Sequence, residues 1–154
     1  RGLGDVYKSQ DIKSISACGS YAASVITATT AQNTLGVFDI HAIPLNHIEK
    51  QLSVVLEDIT FGAIKIGMLH SSEIIQLIQS KLREYRIKNI VVDPVMVATS
   101  GDKLINDDAL NSLCEFLPDA TLITPNAREA ELLIEKQITS DNAGIAESLR
   151  KQGT

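Results

Sequence analysis

Short runs of β-branched residues alternate with amphipathic stretches, and this alternation constrains the fold more than any other feature of the chain. The runs fall at residues 23–27, 63–67, 90–93 and 120–124, and each is too short for a helix. Because they are largely apolar, they suit strands inside a parallel sheet. The stretches between them repeat apolar residues at helical spacing. The sequence therefore predicts an α/β fold in which helices flank a mostly parallel sheet.

The positions of the predicted elements also define the extent of the domain. The expected helices cover residues 10–17, 45–59 and 74–85, one begins near Asn106, and two more follow Asn126 and Ser140. No repeat or flexible linker divides the sequence, so we predict a single domain over 1–154. Because this domain starts and ends on helices, we expect a doubly wound fold truncated at both ends.

Charge and hydropathy argue against two kinds of partner. The net charge is −5 and the basic residues are scattered, so we expect no nucleic acid partner. No apolar stretch approaches the roughly 20 residues that cross a bilayer, and no leader opens the chain, so we expect no membrane association. Cys18 and Cys114 have neither disulfide nor zinc spacing. They are expected to be buried thiols of a cytoplasmic protein.

Polar residues follow every predicted strand. The strand ends lead to Gln32, to Met68 and His70, to Asp93 and residues 99–102, and to Asn126 and Glu129. Because ligands bind at the carboxyl ends of parallel strands, we expect these residues to form one polar rim. The histidines of the chain show no metal-ligand spacing, and we interpret them as structural.

Three features of this rim, formed by four residues, allow two interpretations each. The Asp93 carboxylate needs compensation, which either backbone N–H groups or a cation such as Mg²⁺ could supply. Asn126 and Glu129 have the spacing of a helix capping box, although a helix N-terminus also attracts phosphate. Gln32 carries a donor and an acceptor that suit an aminopyrimidine edge, or it is a solvated loop residue.

Four motifs in sequence order resemble one family of kinases. They are YAASVITATTAQNTLGV at 21–37, KIGML at 65–69, VVDPVM at 91–96 followed by Ser100-Gly101, and LITPN at 122–126 followed by Glu129. In this order they are similar to the hydroxymethylpyrimidine/phosphomethylpyrimidine kinases of thiamine biosynthesis. That family has a three-layer ribokinase-like fold, and relatives commonly form homodimers.

The resemblance implies ATP-dependent phosphorylation of 4-amino-5-hydroxymethyl-2-methylpyrimidine and of its monophosphate, with ATP and Mg²⁺ as cofactors. It also assigns roles to residues at the matching positions. Asp11 would hold the hydroxymethyl end of the substrate, Gln32 would bind the aminopyrimidine edge, Met68 and Val95 would line the ring pocket, Asp93 would serve the metal, and Asn126 and Glu129 would lie near the ATP phosphates.

Two departures and three alternatives accompany the resemblance. Residues 3–7 (LGDVY) stand where the family has a glycine-rich substrate loop, and the family's catalytic residue, in a GTGC or GTGD motif, is expected beyond Thr154. A pyridoxal kinase of the same fold is one alternative. A receiver-like domain with Asp93 at a strand end is another, and a pyrimidine-binding module without catalysis is the third.

Overall fold

A computed structural model describes residues 4–33, 36–96 and 105–139 of the chain. Two compact units are present, Arg1–Thr60 and Phe61–Thr154. The single domain expected over 1–154 stays a prediction. The helix expected after Ser140 and the polar residues 99–102 lie outside the described residues.

The first unit combines two helices with a strand pair. Its elements are α1 (Gly4–Ala17), β1 (Ala28–Asn33), β2 (Gly36–Ala42) and α2 (Leu45–Asp58). β1 pairs with β2 in antiparallel register, and the register shifts between Ala31 and Gln32 because Ala31 faces Asp39 while Gln32 faces Val37. Phe38 is thus the extra residue of a β-bulge, a feature that re-aims neighbouring side chains.

The strand expected at residues 23–27 is wrong, because the described chain is irregular there and the strand begins at Ala28. The Gln51 side chain on α2 binds this segment instead. Its Oε1 accepts from the Ile26 N–H at 2.9 Å, and its Nε2 donates to the Ile26 carbonyl at 3.0 Å. These bonds satisfy backbone groups that a neighbouring strand would otherwise pair.

The second unit alternates strands and helices as expected. Its elements are β3 (Ile64–Ile66), α3 (Ser72–Glu84), β4 (Ile90–Val92), α4 (Asp107–Phe116), a 3₁₀ turn (Leu117–Asp119), β5 (Leu122–Ile123) and α5 (Ala127–Thr139). The strands form a parallel sheet in the order β3-β4-β5. The last three predicted strands and the helices that start near 45, 74, 106 and 126 are therefore confirmed.

The register of the parallel sheet separates a buried face from an open one. Ile66, Val92 and Ile123 lie in one row and are all buried. The opposite face carries Lys65 and Leu122, which are both exposed. Helices α3 and α4 pack against each other, and their buried side chains complete the core of the unit.

The segment before β5 is tied to α3 by one carboxylate. Asp119 Oδ2 accepts from Gln79 Nε2 at 2.9 Å and from Arg83 Nε at 3.0 Å. The Thr121 hydroxyl donates to the Lys88 carbonyl at 2.8 Å and accepts from the Ile90 N–H at 3.1 Å. These contacts fix where β5 begins beside β4 and, through it, where α5 starts.

One of the two cysteine predictions is wrong. Cys114 is buried in α4 as expected, whereas Cys18 is exposed. Cys18 lies in the turn that ends α1, where Gly19 adopts the left-handed φ of 79° and the Ser20 N–H donates to the Ile15 carbonyl. This C-terminal cap places Cys18 at an exposed helix end. None of the described helices has the length and apolar character that a membrane crossing requires.

Candidate functional site

Three strand ends meet in one row of the second unit, which we term the carboxyl edge and define by Gly67, Asp93 and Thr124. The Asp93 N–H donates to the Ile66 carbonyl at 2.8 Å, and the Thr124 N–H donates to the Val92 carbonyl at 3.0 Å. The ladders therefore continue one residue past β4 and β5. Since neighbouring strands lie about 4.8 Å apart, the row spans roughly 10 Å. This is enough for a small ring and a phosphate group.

Asp93 leaves β4 on the open face of the sheet, the face that also carries Lys65. The Lys65 Nζ lies 3.7 Å from Asp93 Oδ2, and the two side chains are 35% and 29% exposed. A pair this accessible contributes at most about 1 kcal/mol to stability. Lys65 therefore supplies part of the charge compensation that the sequence predicts for Asp93, and the carboxylate stays partly accessible.

The described residues that follow Asp93 are well packed. The Val95 N–H donates to the Asp93 carbonyl at 2.8 Å, a tight turn around the fully buried Pro94. Met96 is buried as well, at 1% exposure, and anchors the end of the described loop. Val95 itself stays half-buried, as does Met68 beyond β3. Both predicted ring-lining residues thus lie at the carboxyl edge with accessible surface.

Helix α5 begins with a complete capping box. The Glu129 N–H donates to Asn126 Oδ1 at 3.0 Å, and the Asn126 N–H donates to Glu129 Oε2 at 2.9 Å. Glu129 is 4% exposed. The capping interpretation of this pair is therefore confirmed. Its role near ATP phosphates stays a prediction, and the same geometry leaves other N–H groups of the first turn available to an anion.

The capping box predicts a difference between two substitutions of Glu129. Glu129→Ala removes the acceptor for the Asn126 N–H, and we expect it to lower the free energy of unfolding by about 1 kcal/mol. Glu129→Gln keeps an acceptor at the same position and should change the unfolding free energy far less. Chemical denaturation of the two variants measures this. Equal losses in both would contradict the capping role of the side chain.

His70 lies beyond β3, directly before the N-cap of α3. Burial lowers the pKa of its imidazole below the ordinary value of 6.5, and the Glu73 carboxylate opposes this shift. Hydrogen bonds from its own backbone and from Ser71 lower the pKa of Glu73 in turn. The His70 Nδ1 is buried and has no hydrogen-bond partner among the described residues. A proton added there would create an N–H without an acceptor.

The lowered pKa of His70 predicts acid sensitivity. As the pH falls through 6.5, the unfolded chain binds a proton at this residue before the folded chain does, so folding stability falls. We expect wild type to lose more stability than His70→Gln between pH 7.5 and 5.5. Chemical denaturation at both pH values measures the difference. Parallel losses in the two proteins would show that His70 does not titrate in this way.

The predicted residues of the first unit lie on different elements. Asp11 lies in α1 and is partly exposed. Gln32 lies in β1 next to the bulge and is half-buried, and its Oε1 is buried without a partner among the described residues. The interpretation of Gln32 as a solvated loop residue is therefore wrong, because the residue lies in a strand and its Oε1 is buried. Thr30, two residues before it, carries a second buried, unpartnered oxygen.

The sequence reasoning gave Thr30 no role of its own, because it treated residues 29–34 as the polar segment after a strand. The available signal for a hairpin was Asn33 and Gly36, residue types that are common beside hairpin loops and that pair with each other in the structure. Among the described residues, no group of three or more histidine, cysteine or acidic side chains is arranged to hold a metal.

Solved structures share the fold of this chain. The phosphomethylpyrimidine kinase of Clostridium difficile matches with a TM-score of 0.74 and 48% identity, covering 80% of this chain and 54% of that one. The pyridoxal kinase of Staphylococcus aureus, in complex with AMP-PCP and pyridoxal, matches with a TM-score of 0.66 and 33% identity, covering 80% and 44%. The fold is therefore that of the ribokinase-like kinases, as the sequence predicts.

The sequence comparison narrows this class to one family. The family model for phosphomethylpyrimidine kinase matches residues 9–153. The hydroxymethylpyrimidine/phosphomethylpyrimidine kinase of Haemophilus influenzae is 44% identical over 146 residues, covering 93% of this chain and 54% of that protein. The chain belongs to the phosphomethylpyrimidine kinase family, which confirms the resemblance and leaves no support for a receiver-like domain.

The matched relatives are longer than this chain. It spans about half the length of the curated single-function kinases, between 47% and 54% in four of them. It spans less than a third of the bifunctional thiamine biosynthesis proteins, 27% to 29% in three of them.

Proposed function

We propose that the protein containing this chain transfers phosphate from ATP to 4-amino-5-hydroxymethyl-2-methylpyrimidine and to its monophosphate, in thiamine biosynthesis. The observation that carries the proposal is the carboxyl edge. In a member of this kinase family, three adjacent parallel strands end side by side at Gly67, Asp93 and Thr124. The homodimer and the cytoplasmic location expected from sequence stay predictions.

The roles proposed for the individual side chains follow from their positions. Asp93 would hold Mg²⁺, since a single accessible carboxylate suits a metal that takes its remaining ligands from phosphate and water. Lys65, whose Nζ lies 3.7 Å from Asp93 Oδ2, would help to neutralise the negative charge of a bound nucleotide. When bound, ATP would supply the phosphoryl group, and Mg²⁺ would neutralise the charge on that group during transfer.

The remaining residues would position the substrate. Met68 and Val95 present apolar surface at the carboxyl edge, which suits the faces of an aromatic ring. Asn126 and Glu129 order the first turn of α5, whose N–H groups would attract phosphate oxygens. Asp11 would hold the hydroxymethyl group, whose oxygen is the nucleophile. Phosphoryl transfer of this kind depends mainly on position and charge.

A coupled assay of ATP consumption tests the proposal directly. The full-length protein is the right sample, because the catalytic residue expected in a GTGC or GTGD motif lies beyond position 154 in the family pattern. Both the hydroxymethylpyrimidine and its monophosphate should support turnover that requires Mg²⁺. If neither pyrimidine is phosphorylated while a different substrate is, the proposed function is wrong.

Pyridoxal is the one alternative substrate that a specific observation favours. The S. aureus pyridoxal kinase shares the fold and a third of the aligned residues, 33%. Pyridoxal also carries a hydroxymethyl group on an aromatic ring, but it lacks the exocyclic amino group that Gln32 would bind. We expect pyridoxal to compete with the pyrimidine for one site. At equal concentrations of the two compounds, we expect the pyrimidine to be phosphorylated faster. Faster phosphorylation of pyridoxal than of the pyrimidine would identify pyridoxal as the substrate instead.

A further inference from the structure

Two buried oxygens that have no hydrogen-bond partner in the described part of the chain lie on the same face of β1. The strand alternates half-buried and exposed residues, and Thr30 and Gln32 are both half-buried members of this alternation. Thr30 Oγ1 and Gln32 Oε1 are each inaccessible to solvent and have no hydrogen-bond partner among the described residues. Native proteins rarely leave buried polar atoms unpaired, and exceptions indicate an absent ligand or water.

The spacing of these two groups fits a small ring. Residues two apart on a strand are separated by about 6.6 Å along it, and the glutamine side chain is longer than that of threonine. The β-bulge next to these positions has its extra residue, Phe38, on β2, so β1 keeps its alternation and holds Thr30 and Gln32 on one face. The two oxygens can therefore contact different atoms of one ligand.

We propose that Thr30 is a second polar contact to the substrate ring, and that its hydroxyl donates a hydrogen bond to a ring nitrogen while Gln32 Oε1 accepts one from the exocyclic amino group. This inference rests on the proposed function and adds a specificity-determining residue to it. A hydroxyl that only packed against the ring would be no better than a methyl group, and its burial would remain uncompensated.

The test pairs two substitutions with two kinds of ligand in the full-length protein. Thr30→Val keeps the shape of the side chain and removes the hydroxyl, whereas Thr30→Ser keeps the hydroxyl. Calorimetry measures binding of the hydroxymethylpyrimidine and of pyridine analogues in which one or the other ring nitrogen is replaced by C–H. Thermal denaturation without ligand is measured on the same three proteins.

Wild type should prefer the pyrimidine to one of the analogues by about tenfold, the effect of one hydrogen bond. Thr30→Val should lose this preference, and Thr30→Ser should keep most of it. The unliganded Thr30→Val protein should melt no lower than wild type, because the lost hydroxyl has no partner to lose.

Two results would overturn the role of Thr30 alone. One is a Thr30→Val protein that keeps the preference for the ring nitrogen while Gln32→Ala still weakens pyrimidine binding. The other is a Thr30→Val protein that melts well below wild type, which would show a structural partner for the hydroxyl. If wild type binds none of the pyrimidines, the proposed function fails first, and the role of Thr30 fails with it.

Discussion

Asp93→Asn is expected to lower kcat for phosphoryl transfer by about 100-fold, the usual effect of removing one group that stabilises developing charge. Pyrimidine binding should change by less than about threefold, because the ring would be held by other side chains. Stability should barely change, since the pair that Asp93 forms with Lys65 is partly exposed. Steady-state kinetics over a range of Mg²⁺ concentrations, with calorimetry for the pyrimidine, measures both quantities.

Asp108→Asn is the matched control for this experiment. Asp108 is an exposed carboxylate in the first turn of α4, so its substitution removes the same charge elsewhere in the same unit. It should leave kcat and the Mg²⁺ dependence unchanged. Equal losses of turnover and of pyrimidine binding in Asp93→Asn would indicate a structural carboxylate rather than one that serves the metal.

Gln32→Ala is expected to abolish discrimination for the exocyclic amino group of the substrate. In a site built to bind a polar group, an analogue without that group is rejected strongly because the partner in the site is left unpaired. The buried Oε1 of Gln32 meets this condition. We expect wild type to favour the amino compound over its desamino analogue by at least about 100-fold in kcat/KM, and the variant to favour it by less than about tenfold.

Gln76→Ala provides the matched control, because Gln76 is an exposed glutamine on α3. It should retain the full preference for the amino compound. A Gln32→Ala protein with the same preference as wild type would show that Gln32 does not read the amino group. An equal loss of kcat/KM for the amino compound and its desamino analogue would show that Gln32 contributes to substrate binding without recognising the amino group.

The sequence predicted the second unit well because its elements have distinct periodicities. Runs such as residues 90–93 are short and β-branched, and the intervening helices repeat apolar residues at helical spacing, so local pattern and tertiary burial agree. The first unit was predicted less well. Residues 23–27 have the composition of a strand, but composition does not reveal that the Gln51 amide satisfies the backbone of Ile26.

The candidate site was predictable to the extent that it follows strand ends. Asp93 and Asn126 lie at the carboxyl edge because a parallel sheet brings all its carboxyl ends together. Pairings between distant positions were not predictable. Lys65 was assigned no role, although its contact with Asp93 across two strands supplies part of the compensation that the carboxylate needs. Thr30 was given no role because its significance depends on burial, which a residue pattern does not show.

We expect a small pyrimidine to bind at the ends of the parallel strands, and the methionines of the chain offer a direct probe of this binding. Its two methionines differ in position, since Met68 is half-buried beyond β3 whereas Met96 is 1% exposed. Methyl NMR of ¹³C-methionine protein, assigned with Met68→Leu and titrated with the pyrimidine, should show a saturable shift of the Met68 signal that exceeds any shift of Met96. A Met68 signal that stays unchanged at saturating pyrimidine would contradict the claim.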